Sequence, residues 1–137
     1  MRLARVASAF GLLPTLVVVA VVEVCLRLLS LPASARLLGV RLVFDGGARP
    51  VSSDVDPRVE ARAARVERAL SRWPWGSTCL RRALALGALT RSHRPVLHVG
   101  VLPTRGAVRA HAWLEVSGTV IGSDRPEDFV VLRRARS

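Results

Sequence analysis

The stretch that most restricts the fold of this chain is Trp75-Gly76-Ser77-Thr78-Cys79-Leu80-Arg81-Arg82-Ala83-Leu84-Ala85-Leu86. Gly76 breaks the backbone, Ser77 and Thr78 offer a hydroxyl cap, and Leu80, Ala83 and Leu84 then recur at helical spacing, which predicts a helix from Cys79 to about Leu89. Cys79 falls in its first turn. Unpaired backbone N–H groups and the positive end of the helix dipole favour a thiolate there, so the sulfur is placed to act as a nucleophile. Arg81 and Arg82 are expected to add to that effect.

Further along, Ala110-His111-Ala112-Trp113-Leu114-Glu115-Val116 alternates, Ser117-Gly118 follows, and Thr119-Val120-Ile121-Gly122-Ser123-Asp124 is β-branched at its start. Two strands around a Gly-containing pair predict a hairpin, although Ser-Gly is a weaker turn than Asn-Gly. With Ser117 and Gly118 as a two-residue loop, Val116 faces Thr119 and His111 falls opposite Asp124. Val108, Ala110, Ala112, Leu114 and Val116 share the core face; Arg109, His111, Trp113 and Glu115 share the other, expected to face a cleft. A nucleophile at a helix head, a base on a strand and a carboxylate behind the base are the parts of a Cys-His-Asp site.

The segments from Trp73 to Leu86 and from Ala110 to Val116 closely resemble the leader peptidases of lasso peptide biosynthesis, the microcin-processing B proteins, which have a transglutaminase-like core. The resemblance is good from about Val59 to Asp124 and looser from Glu23 to Gly39, where an acidic residue, a Leu/Arg-rich helix and a Leu-Pro break are also a family habit. It implies a cysteine peptidase that removes the leader from a ribosomally made precursor, usually with Thr just before the last leader residue. A separate ATP-dependent lasso cyclase then closes the ring. By position, Cys79 is the nucleophile and His111 the base. At the family's usual spacing the acid falls on Ser123, whereas the hairpin count selects Asp124, and a bulge would decide between the two registers.

The fold class expected is α+β, with a papain/transglutaminase-like core: N-terminal helices and a catalytic helix packed on a small antiparallel sheet. At 137 residues the chain is long enough for one domain and too short for two substantial ones. It divides into a hydrophobic N-terminal helical region, 1–44, and a peptidase core, 55–137, within one compact domain. Nothing before Cys79 resembles the winged-helix leader-recognition domain fused to some family members. A separate leader-recognition protein is therefore an expected partner.

All 21 basic residues are Arg, which a GC-rich coding genome accounts for, and the net charge of +11 attracts acidic peptides, nucleic acid or anionic lipid without choosing among them. The Arg residues are spread along the chain with no aromatic-interleaved patch, so nucleic acid is not expected as a partner. A transglutaminase-like acyltransferase using the same three residues, and a non-catalytic Arg-rich membrane-surface or nucleic-acid-binding protein, are the competing classes.

Phe10 to Val22 is an apolar run of 13 residues ended by Glu23 and Arg27, short of the ~20 that span a bilayer. A basic start, the apolar run and Ala33-Ser34-Ala35 imitate a signal peptide, but Glu23 and Arg27 separate the last two parts too widely. A retained helix, packed or lying on a membrane surface, is the expectation, and the resemblance implies a cytoplasmic enzyme, membrane-associated if that helix lies on a bilayer. Ser34 to Val43 reads as a second helix with Leu37, Leu38 and Val40 on its apolar side, and Phe44 to Pro50 as a loop.

Asp56-Pro57 opens a helix whose stripe is Val59, Ala63, Val66 and Leu70. Trp73 and Trp75 are read as packing that fixes the approach to Cys79, as a wall of the substrate cleft, or as both. Pro95 to Leu102 reads as an apolar strand and Pro103 to Gly106 as a turn. Cys25 lies in an apolar helical run and reads as a buried, inert thiol rather than half of a disulfide. His93 and His98 make no ligand spacing with either Cys, so no metal site is expected, and no cofactor.

Overall fold

A computed structural model describes residues 2–44, 56–104, 106–121 and 130–131, excluding the side chains at 2–10, 101–104, 107–111 and 130–131. The first element, α1 (Arg2–Leu28), is an unbroken helix with Pro14 inside it, twice the length of the apolar run that announced it. It continues through Glu23 because that carboxylate is ion-paired within the fold. Cys25 is buried and free, as expected.

Ser30 caps α2 (Leu31–Leu37), accepting from the Ala33 N–H at 3.4 Å. The helix predicted over Ser34–Val43 therefore starts earlier and ends sooner. Gly39 enters the left-handed region (φ +76), Gly39 N–H donates to Arg36 O and Val40 N–H to Ala35 O, and this paired closure stops the helix. Arg41–Val43 is instead a strand, β1. Leu38 and Val40 are buried, but Leu37 is exposed, contrary to the expected apolar side. The predicted loop after Phe44 lies outside the described residues.

Asp56 caps α3 (Pro57–Ser71) by accepting from Arg58 N–H at 2.9 Å, and Val59, Val66 and Leu70 are buried with Ala63 half-buried, the predicted stripe. The helix α4 (Cys79–Leu89) has its predicted bounds. At its far end Thr90 is buried and donates from Oγ1 to Leu86 O at 2.8 Å.

The sheet runs β1-β2-β3-β4, with β2 (Val96–Thr104), β3 (Ala107–Val116) and β4 (Thr119–Ile121); β5 (Val130–Val131) pairs with β2 beyond the end of β1. It is mixed rather than wholly antiparallel, because β1 runs parallel to β2 through Arg41–Val96 and Val43–His98. The β2–β3 turn is tighter than predicted. Pro103 pairs with Val108 and Thr104 with Ala107, inside the segment predicted as a turn. The β3–β4 hairpin has the predicted register, Val116 opposite Thr119 and Leu114 opposite Ile121, with Ser117 (φ 51) and Gly118 (φ 78) both left-handed as a two-residue hairpin loop requires.

The helix α4 packs between α1, α3 and the sheet. Leu70, Leu84, Leu97 and Leu114 are fully buried there, each contributing roughly 1.5–3 kcal/mol. Gly87 allows the closest approach: a Cβ at that position would lie 2.6 Å from Val40 Cγ2 and 3.4 Å from Leu114 Cδ1. This contact joins α4 to the sheet and to the segment leading into β1.

Candidate active site

Cys79 is the first residue of α4, as its sequence setting required. Thr78 is extended (φ −113, ψ 155) and its Oγ1 accepts from Arg81 N–H at 3.2 Å, so the cap closes one of the free donors of the first turn. The Cys79 thiol is free and half-buried. It lines a cleft of about 500 Å³ between α3, α4 and the β3–β4 hairpin. Ala63, Ala64, Ala83, Leu86 and Ile121 give the cleft its apolar walls, and Glu60, Glu67 and Arg82 also line it.

The strand side of this cleft is Ala112, Trp113 and Leu114, the three residues that follow His111. The backbone of His111 lies on β3, paired with Gly100 of β2. Its side chain falls outside the described residues, as do Ser123 and Asp124, so the contact between base and acid falls there too. The fold thus brings the head of α4 to the segment immediately after His111. Ala112, Leu114 and Val116 are buried in the core, the predicted alternation; Trp113, expected on the cleft face, is buried and lines the cleft, but Ala112 and Leu114 of the expected core face line it as well.

The two arginines beside Cys79 are not free to act on the sulfur as expected. Arg81 donates from Nε to Glu23 Oε2 at 2.6 Å, from Nη2 to Glu23 Oε1 at 3.1 Å and from Nη1 to Trp75 O at 3.1 Å. Arg82 is ion-paired with Glu67 and donates from Nη2 to Ser77 Oγ at 3.3 Å. Arg82 is thus engaged by Glu67, and Arg81 by Glu23, which Arg27 shares.

Glu23 reads in the sequence as the end of the apolar run and part of the looser resemblance, with no partner assigned. It is buried on α1, accepts from Arg81, from Arg27 Nε at 2.9 Å and from Trp73 Nε1 at 3.4 Å. The Arg81 hydrogen bonds outweigh burial and, with those from Arg27 and Trp73, lower its pKa from 4.5 to about 2. The available signal was a lone carboxylate in an apolar helix, which demands a cationic partner elsewhere in the chain. Trp73 thereby fixes the approach to Cys79, while Trp75 is exposed and stacks with Arg27 at 4.7 Å; among the described residues that line the cleft, neither Trp occurs.

A second unpredicted cluster sits on the sheet. His98 is buried, stacks on Trp113 (5.6 Å between ring centres, 9° between planes) and has Nε2 2.9 Å from Glu115 Oε2. The β2–β3 register sets His98 directly opposite Trp113, and the expected four-residue turn hid that register. Among the described residues, no three His, Cys, Asp or Glu side chains are grouped to hold a metal ion.

A family model for the transglutaminase-like superfamily matches residues 20–134. The chain belongs to that superfamily. No curated protein and no solved structure gives a significant match. In this transglutaminase-like chain the matched span begins inside α1 and includes Glu23, Arg81, Cys79 and His111. Its helices and mixed sheet are the α+β architecture expected of such a core. Membership points to cysteine-based hydrolysis or acyl transfer as the reaction class.

Proposed function

We propose that this protein is a leader peptidase of lasso peptide biosynthesis: a cysteine peptidase that cuts a ribosomally made precursor at its leader-core junction. The observation that carries the reading is Cys79 at the first position of a capped helix, opening on an apolar cleft whose other wall directly follows His111. The resemblance of the Trp73–Leu86 and Ala110–Val116 segments to that peptidase family supplies the substrate class.

In this mechanism His111 takes the proton from Cys79 and Sγ attacks the scissile carbonyl, forming a thioester precursor whose oxyanion is met by the Cys79 N–H. Asp124 orients the imidazole. The C–N bond breaks as His111 returns the proton to the leaving amine. Water, activated by the same imidazole, hydrolyses the thioester and restores the thiol. A separate leader-recognition protein presents the precursor, and the lasso cyclase acts on the released core.

The test is mass spectrometry of the full chain incubated with a candidate precursor and its recognition protein. The expected products are leader and core, their masses summing to precursor plus water, with Cys79→Ala giving none and keeping the wild-type melting curve. Cleavage by the Cys79→Ala protein would overturn the assignment. A product in which an added amine replaces water would place the chain among acyltransferases instead.

A further inference from the structure

We infer that α1 docks this protein on an anionic lipid surface, lying in the plane of the membrane rather than crossing it. Leu13, Val17, Val21, Val24 and Leu28 recur along one side of α1 and are 44–76% exposed. Together they form a stripe about 22 Å long. Between Gly11 and Leu28 the only charged residues are Glu23, which is buried, and Arg27 at the edge of the stripe. A helix that exposes so continuous an apolar line to water is short of a partner.

The helix has the length and composition to cross a bilayer over Gly11–Leu28. Its opposite side decides against that. Leu12, Thr15, Val19, Val22 and Cys25 are buried, α1 packs against α3 and α4, and Glu23 is tied to Arg81 of α4. Crossing would strip those contacts and carry an ion pair into hydrocarbon, whereas lying flat keeps them and buries only the stripe.

Charge selects the kind of lipid. A stripe of three valines and two leucines gives modest insertion alone, so stable binding requires a second attraction, and the net charge of +11 supplies one toward acidic headgroups. Arg27 and the exposed Trp75 stack on each other at the C-terminal end of the stripe, and Arg36 is exposed on the next helix. An indole beside a guanidinium suits the headgroup layer, where one side is apolar and the other wet.

Flotation of the full chain with vesicles tests this. The protein should float with phosphatidylcholine/phosphatidylglycerol vesicles, leave them on addition of salt or alkaline carbonate, and stay in solution with phosphatidylcholine alone. A Val17→Gln/Val21→Gln/Val24→Gln variant should partition about a hundredfold more weakly while keeping the wild-type circular dichroism and melting temperature; if the triple variant misfolds, Leu13→Gln alone, at a well-exposed position, should still weaken partitioning about tenfold. No flotation of the wild type, flotation undiminished in the folded variants, or retention after alkaline carbonate would each overturn the proposal. So would a wild-type dimer in solution that the substitutions dissociate, since the stripe would then be an interface between copies.

Discussion

Glu23 and Arg81 lie 58 residues apart in the chain, yet the Arg81 guanidinium donates two hydrogen bonds to the Glu23 carboxylate, at 2.6 and 3.1 Å. Arg81 is in the first turn of α4, two positions after Cys79, and its backbone N–H is the one capped by Thr78. The pair therefore ties the apolar N-terminal helix to the head of the helix that carries the nucleophile. The superfamily match, which spans residues 20–134, includes both members of the pair.

Replacing Glu23 by Gln leaves the largely buried Arg81 charge, and the more exposed Arg27, without their acid, and should lower stability by about 2 kcal/mol at neutral pH. The pH dependence follows from a carboxylate whose pKa falls from 4.5 to about 2 on folding. Its stabilisation is present above pH 4.5 and is lost as the pH falls toward 2, because protons bind the unfolded chain first. Denaturant titrations of the two proteins should converge over that window; a gap that stays constant on acidification would contradict the ion-pair account.

Gly87→Ala should destabilise the protein by roughly 1–3 kcal/mol, because the new Cβ would lie 2.6 Å from Val40 Cγ2 and neither backbone can yield freely. Helix propensity alone predicts the opposite sign, a gain of about 1 kcal/mol. Val40→Ala in the same chain removes the clashing methyls and should recover part of the loss. Melting temperatures of the two single variants and the double variant decide between steric conflict and propensity.

Local chemistry was readable wherever a single segment determined its own shape. Asp56-Pro57, Thr78-Cys79 and Ser117-Gly118 each carry their cap or turn in adjacent residues, and α3, α4 and the β3–β4 register came out as predicted. What could not be read depended on partners far away in the chain. Glu23 halted the apolar count because its cation sits on α4, and the strand Arg41–Val43 was hidden by helical-looking neighbours because Gly39 closes α2 just before it. The pairing of β1 with β2 is parallel and long-range, with no turn to announce it. For the candidate site, the placing of Cys79 at a capped helix head was legible, but the diversion of Arg81 and Arg82 to carboxylates on other helices was not.

The stack of His98 on Trp113 contributes through packing more than through the bond to Glu115, since Glu115 is partly open to water and can rehydrate when released. His98→Phe keeps a flat ring against the indole and should cost less than about 1 kcal/mol. His98→Ala leaves a hole under Trp113 and should cost about 2–3 kcal/mol. Equal losses in the two variants, measured by chemical denaturation, would mean that the hydrogen bond dominates.

Ala64 lines the cleft beside Cys79 yet is exposed on α3, so a larger side chain there can occupy the cleft without entering the core. Ala64→Trp should change stability by no more than about 0.5 kcal/mol. If the peptide lies in this cleft during attack by Cys79, the same variant should raise KM about tenfold, while Ala64→Ser leaves it unchanged. The comparison separates the cleft from the rest of the surface, because a substrate approaching Cys79 from any other side would meet neither substitution. An Ala64→Trp enzyme with wild-type KM and kcat would remove this cleft from the substrate path.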